Sequence, residues 1–249
     1  MKYFIGNWKM FGIPGSIKII ERINNFLSKD KKNNKKYKVI IAPPFTLLSS
    51  FNRKFKNKRI SLCAQNCSQF DNFGAHTGSV SAYMIKAVGI KHVIIGHSEN
   101  RASGENDVIL RKKLFTAIQN NLNIIFCIGE NKTQKRNKMT LQVLKKQIKN
   151  VIMKNYNFKN IIIAYEPVWS IGTGKIPKAD ELQKTLISIK KFLKSHFRSK
   201  NSFKILYGGS VDYKSIHNFK LIKDLDGFLI GGASKSSKKF IDIIKNFYK

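Results

Sequence analysis

Short apolar runs recur along the chain, each followed by a longer stretch in which apolar positions return every three or four residues. Side chains alternate faces along a strand and share a face at that longer spacing along a helix, so the pattern reads as strand, then helix. The first unit predicts a strand over 3–8 and a helix over 16–27. Runs at 39–42, 60–64, 92–95, 123–128, 161–164, 203–207 and 227–230 predict seven more strands. Helical spacing follows them at 46–55, 80–87, 107–120, 141–155, 179–197, 213–219 and 238–247. The run at 161–164 is unbroken rather than alternating, as in a strand buried on both faces. Eight strand–helix units without a change of composition predict one (βα)8 barrel domain over 1–249. An open, doubly wound sheet is the runner-up, because it is built from the same units. No low-complexity linker or short repeat interrupts the series. The charged stretch 29–38 reads as a solvated turn, and 66–79 as an unusually long loop.

Composition narrows the class. The chain has 249 residues, 42% of them hydrophobic, which suffices for a large core. No apolar run approaches the roughly 18 residues of a membrane span. The apolar stretch at the N-terminus is too short for a secretory signal. Cys63, Cys67 and Cys127 form an odd set without paired-ligand spacing, which argues against a disulfide framework or a zinc site. A cytoplasmic protein with no metal and no membrane contact is expected.

The net charge of +33 points, taken alone, to nucleic acid or an anionic surface. Of the 47 basic residues, however, seven are arginine and the other forty lysine, scattered over every segment. Specific phosphate and base recognition leans on arginine. Lysine, asparagine and isoleucine are abundant together, the mark of AT-rich codon drift, and no dedicated nucleic-acid partner is expected. The charge can still draw in an anionic substrate.

Candidate chemistry gathers at the strand ends, where such barrels place their active sites. The segment 161–175 ends its apolar run in Glu166, and Pro167 then stops the ladder. Next comes a loop with one aromatic anchor, Trp169, and two glycines flanking a threonine, Gly172-Thr173-Gly174. A lone carboxylate beneath a glycine-bearing loop suits a general base under a lid that grips phosphate. The plainer alternative is a strand-terminating glutamate in a surface turn. Other strand ends offer Asn7 and Lys9, His97 and Glu99, Glu130, Gly208-Gly209-Ser210 and Gly231-Gly232. Each glycine pair alone is more simply a turn. At the ends of strands seven and eight together, the pairs expose N–H groups where barrels commonly bind phosphate. His97 alone would pass for a core histidine, and Glu99 and Glu130 for hydrogen-bonding groups around a site.

Read together, these residues resemble the triosephosphate isomerase family. The likeness is carried by Asn7-Trp8-Lys9-Met10, Ala64-Gln65-Asn66, Gly74-Ala75-His76-Thr77-Gly78, Ile95-Gly96-His97-Ser98-Glu99 and Cys127-Ile128-Gly129-Glu130. It continues through 164–175, Tyr207-Gly208-Gly209-Ser210-Val211 and Gly231-Gly232-Ala233-Ser234. The resemblance implies a TIM-barrel homodimer that interconverts dihydroxyacetone phosphate and D-glyceraldehyde 3-phosphate through an enediolate, without cofactor or metal. It implies Glu166 as the base, and His97 as the group that polarises the carbonyl and moves protons between oxygens. A carboxylate base paired with a neutral histidine is the established pattern of that family, so both roles come with the resemblance. Lys9 would stabilise the enediolate, with Asn7 beside it, and Gly172, Ser210, Gly231 and Gly232 would hold the phosphate. A metal-dependent sugar-phosphate epimerase is the rival enzyme, but its His-and-carboxylate ligand set is not visible. A basic nucleic-acid-binding relative without catalysis would be expected to lack Lys9, His97 or Glu166.

The chain departs from the family pattern at Phe11, His76, Ser79, Asn100, Ser170 and Ile176-Pro177. Ser79 and Asn100 stand where the resemblance implies a glutamate and an arginine paired across the dimer interface. A dimer is therefore expected with both near the interface and no salt bridge between them.

Overall fold

Eight strands pair in parallel, each with its neighbour in sequence, and the last pairs with the first to close a barrel. They are β1 (Lys2–Asn7), β2 (Tyr37–Ala42), β3 (Ile60–Ala64), β4 (His92–Ile95), β5 (Asn123–Ile128), β6 (Ile161–Tyr165), β7 (Lys204–Tyr207) and β8 (Gly227–Ile230). The computed structural model describes residues 1–249 except 34, 56–57, 155, 157 and 199–202. Closure decides against the open sheet. At the seam Tyr3 lies opposite Gly227, where a Cβ would fall 2.1 Å from the Tyr3 carbonyl oxygen. Only glycine lets the two strands meet there.

Strand parity divides the apolar residues into two layers. Tyr3, Ile5, Ile125, Cys127, Ile162 and Ala164 belong to the cluster inside the barrel. Their neighbours Phe4, Phe126, Ile161, Ile163 and Tyr165 pack outward against the helices. Both faces are apolar, which explains the unbroken runs in the sequence. The inward parity reaches Asn7 at the end of β1 and, one step past the ends of β6, β7 and β8, Glu166, Gly208 and Gly231. The barrel's own periodicity aims these four at the axis, above the core.

The outer ring holds α1 (Ile17–Lys29), α2 (Phe45–Phe55), α3 (Ala82–Ala87), α4 (Ser98–Ala102), α5 (Asp107–Gln119), α6 (Lys132–Arg136), α7 (Thr140–Val151), α8 (Ala179–His196) and α9 (Ser237–Tyr248). Most lie within two residues of the sequence expectation. The helix expected at 80–87 begins two residues later, because Ser81 caps it by accepting the Met84 N–H at 3.2 Å. The helix expected to reach 155 ends at Val151, and residue 155 lies outside the described residues. At 213–219 the structure has a 3₁₀ turn over Ile216–Phe219 instead of a longer helix. Asp212 takes the N–H groups of Lys214 and Ser215 at 2.7 and 2.8 Å, which commits the segment to a tight turn. The sequence pattern does not reveal α4 and α6, since five residues are too few to show a helical period.

Candidate active site

Glu166 sits at the top of β6, 3% exposed, on a backbone confined by its neighbours. Its N–H bonds the Ile128 carbonyl at 2.7 Å. Gly129 and Gly208 flank it; a Cβ would fall 1.8 Å from the Glu166 carbonyl oxygen at the first and 2.7 Å from its Cγ at the second. The carboxylate is thus held in a slot that two glycines leave open. One oxygen, Oε1, lies 3.3 Å from His97 Nε2, and the other has no hydrogen-bond partner among the described residues. Burial raises the carboxyl above its ordinary range, partly offset by His97, a contact with Cys127, and Lys9. Cys127 is itself a buried thiol whose ionisation is suppressed, first by burial and then by the neighbouring Glu166. It packs; it is no nucleophile.

His97 should point outward by parity, but Gly96 breaks the alternation with φ +76° and turns it over the barrel mouth. It is the N-cap of α4, and its Nδ1 accepts the Glu99 N–H at 3.2 Å. An imidazolium carries protons on both nitrogens and could not accept that bond, so the ring's proton sits on Nε2, toward Glu166. The Glu99 carboxylate also approaches Nδ1 at 3.6 Å. With the lone pair taken by the backbone N–H, that approach is no ion pair. Arg101 braces the strand ends below, donating to the Gly96 carbonyl at 2.9 Å and the Cys127 carbonyl at 3.2 Å.

Lys9 occupies the left-handed region at φ 55°, unusual outside glycine. Two contacts fix this conformation. Asn7 Oδ1 accepts the Lys9 N–H at 3.0 Å, and Gln65 donates to the Lys9 carbonyl at 2.8 Å. The same Gln65 amide reaches the Ala42 carbonyl, also at 2.8 Å, tying the loop to β2. The Lys9 ammonium meets Glu99 Oε1 at 2.6 Å. The pair is half open to solvent, so it contributes little stability but orients the cation.

These groups border a cavity of about 560 Å³. The eight residues that the sequence assigns to catalysis or substrate binding all line it: Asn7, Lys9, His97, Glu166, Gly172, Ser210, Gly231 and Gly232. Lys239, from the first turn of α9, also faces the cavity, and nothing in the sequence distinguishes it from the other lysines. A lid follows β6, starting with the 3₁₀ turn Val168–Ser170. Glu130, fully buried, anchors its start: Oε1 accepts the Trp169 indole N–H at 2.8 Å and the Tyr165 hydroxyl at 3.2 Å. Burial raises this carboxyl too, opposed by those two hydrogen bonds. Farther along, the Gly174 N–H donates to Ser210 Oγ at 3.1 Å, so the lid rests on the loop after β7.

Gln65, Arg101 and Tyr207 have no role that the sequence alone assigns. Gln65 stands in one of the family motifs, but its part depends on which carbonyls it reaches. Among the described residues no group of three His, Cys, Asp or Glu side chains is arranged to hold a metal ion.

Known proteins match the chain along nearly its whole length. The family model described as triosephosphate isomerase matches residues 2–247. A triosephosphate isomerase of Zygosaccharomyces bailii is 40% identical over 249 residues, covering 98% of each chain. That of Thermodesulfovibrio yellowstonii is 38% identical over 246 residues, again with 98% of each covered. The crystal structure of triosephosphate isomerase from Bartonella henselae superimposes with a TM-score of 0.89 at 32% identity, covering 100% of this chain and 99% of that one. With the match running from the first strand to the last helix, the chain belongs to the triosephosphate isomerase family.

Proposed function

We propose that Glu166, His97 and Lys9 carry the chemistry of this cavity, and that Gly172, Ser210, Gly231 and Gly232 hold the substrate's phosphate. As a member of its family the chain interconverts dihydroxyacetone phosphate and D-glyceraldehyde 3-phosphate, a step shared by glycolysis and gluconeogenesis. Glu166 removes a proton from the carbon next to the carbonyl, and the electron pair moves onto the carbonyl oxygen to form an enediolate. His97 donates its Nε2 proton to that oxygen and recovers one from the neighbouring hydroxyl. Glu166 then returns its proton to the other carbon. Lys9 offsets the charge that develops on the oxygens. The Asn7 side-chain Oδ1 is engaged with the Lys9 N–H, which leaves its NH₂ as the donor toward substrate. No step calls for a cofactor.

The observation that carries this reading is the buried Glu166–His97 pair at 3.3 Å, with the imidazole proton on the side of the carboxylate. Burial keeps the carboxylate dry and basic, and the backbone bond keeps the histidine in the donor tautomer. The test is a coupled isomerase assay of the wild type and Glu166→Asp.

The reading extends to a single-domain, cytoplasmic homodimer. No helix among the described residues is long and apolar enough to cross a membrane. Met10 and Phe73, 99% and 77% exposed, and Tyr83 on α3, edge-on to Phe73, leave apolar side chains open on the surface. A second copy of the chain is the partner that would cover them.

A further inference from the structure

Ser170 lies at the end of the lid's first turn with no exposed surface. Its hydroxyl touches three groups, one in the lid, one at the end of β7 and one in the loop after β7. It donates to the Lys175 carbonyl at 2.5 Å, lies 2.9 Å from the Tyr207 hydroxyl, and accepts the Ser210 N–H at 3.3 Å. A serine hydroxyl has one proton and two lone pairs. The Lys175 carbonyl can only accept, so it takes the proton. Tyr207 must then be the donor in the second bond, and Ser210 fills the remaining lone pair. The oxygen is saturated.

The backbone of the same residue continues the link. The Ser170 carbonyl accepts from Ser210 Oγ at 2.6 Å and from Thr173 Oγ1 at 3.2 Å. Ser210 Oγ in turn accepts the Gly174 N–H. Gly209 shows how closely this is packed: a Cβ there would fall 2.2 Å from the Tyr207 oxygen and 2.6 Å from Ser170 Oγ. Tyr207 is buried, and burial pushes its hydroxyl up to about 12, so it remains a donor at neutral pH.

We propose that Ser170 is a positioning residue of the isomerase, the latch that joins the Lys175 peptide of the lid to Tyr207 at the end of β7 and Ser210 in the loop after it. Latched, the lid keeps Gly172 at the wall of the cavity that Gly231 and Gly232 also line. Opening breaks the bonds to Tyr207 and Ser210 together and strands a buried phenol. The Ser170–Lys175 bond lies within the lid and travels with it. The latch rests on the reading of Gly172, Ser210, Gly231 and Gly232 as the phosphate grip.

The test uses Ser170→Ala, Tyr207→Phe and the double variant, with inorganic phosphate as the probe. Steady-state kinetics give KM, kcat and the inhibition constant for phosphate, and NMR of fluorinated Trp169 reports lid exchange. Tyr207→Phe should raise KM and the phosphate inhibition constant roughly tenfold, the loss of about one buried hydrogen bond, and Ser170→Ala, which also loses the bonds to Ser210 and Lys175, at least as much, each with a smaller effect on kcat. Lid exchange should quicken in both. Because the Tyr207 hydroxyl reaches the lid through Ser170, the double variant should be no worse than Ser170→Ala alone. Additive losses, or a Ser170→Ala enzyme with unchanged KM and lid exchange, would overturn the latch while leaving the phosphate site intact. If phosphate does not shift the amide resonances of Gly172, Ser210 and Gly232 in the wild type, the site reading falls and the latch with it.

Discussion

Gly208 offers a way to move the Glu166 carboxylate without changing it. A Cβ at position 208 would stand 2.7 Å from Glu166 Cγ and 3.3 Å from Oε1, where ordinary contacts begin at 3.4 Å. Below, Gly129 presses on the Glu166 carbonyl, so the backbone has no room to retreat. The side chain of Gly208→Ala must therefore push the carboxylate arm aside by about 0.7 Å, the shortfall from ordinary contact. A misplacement of roughly 1 Å at a reacting group can cost about a hundredfold, or about 2.7 kcal/mol of barrier. The expected result is a kcat lower by one to two orders of magnitude in a coupled assay. KM should move much less, since the proposed phosphate grip, Gly172, Ser210, Gly231 and Gly232, is formed by other residues of the cavity wall. A thermal melt checks that the variant is folded. A folded variant with kcat within about threefold of the wild type, against that hundredfold expectation, would show that the carboxylate's position does not set the rate.

Other expectations follow from charge and burial. The raised carboxyl of Glu166 means that the fold favours its protonated form: the stability it contributes is full below the ordinary carboxylate range and is lost as pH rises through the folded value. Glu166→Gln should therefore melt higher than the wild type at neutral pH, with the gain shrinking in acid, while activity collapses; equal melting at all pH values would contradict this. If the +33 charge steers a dianionic substrate, kcat/KM should fall with added weakly binding salt while kcat holds, and a flat response would leave the charge without a kinetic role. Asn100→Arg alone should weaken dimerisation in sedimentation by placing an unpaired charge near the interface, and Ser79→Glu added to it should restore the dimer. A single variant as tight as wild type would refute that coupling.

Much of this molecule is legible as pattern. Eight apolar runs locate the strands to within two residues, because strands apolar on both faces announce themselves without any alternation. The same property hides the site's geometry. In Ile161–Tyr165 every position is buried, so the sequence does not say that Ile162 and Ala164 face the axis and that Glu166 follows them inward. His97 escapes parity altogether, because the Gly96 turn sets its direction. α6 carries a readable signal that a search for periodicity passes over: Asn131 and Gln134 form a reciprocal capping box. Ser170 and Gln65 give no such signal. Their roles depend on carbonyls and hydroxyls brought from distant strands, and a serine in a loop looks the same whether it joins three groups or none.

In the proposed mechanism, turnover depends on one carboxylate, Glu166, reaching carbon at a set distance. Glu166→Asp keeps the charge and the burial and withdraws the oxygens by roughly 1 Å, which isolates reach from every other property. Measured in the coupled assay, kcat should fall on the order of a hundredfold with KM nearly unchanged, as for a contact made only in the transition state. An aspartate enzyme that turns over at the wild-type rate would contradict the assignment of Glu166 as the base.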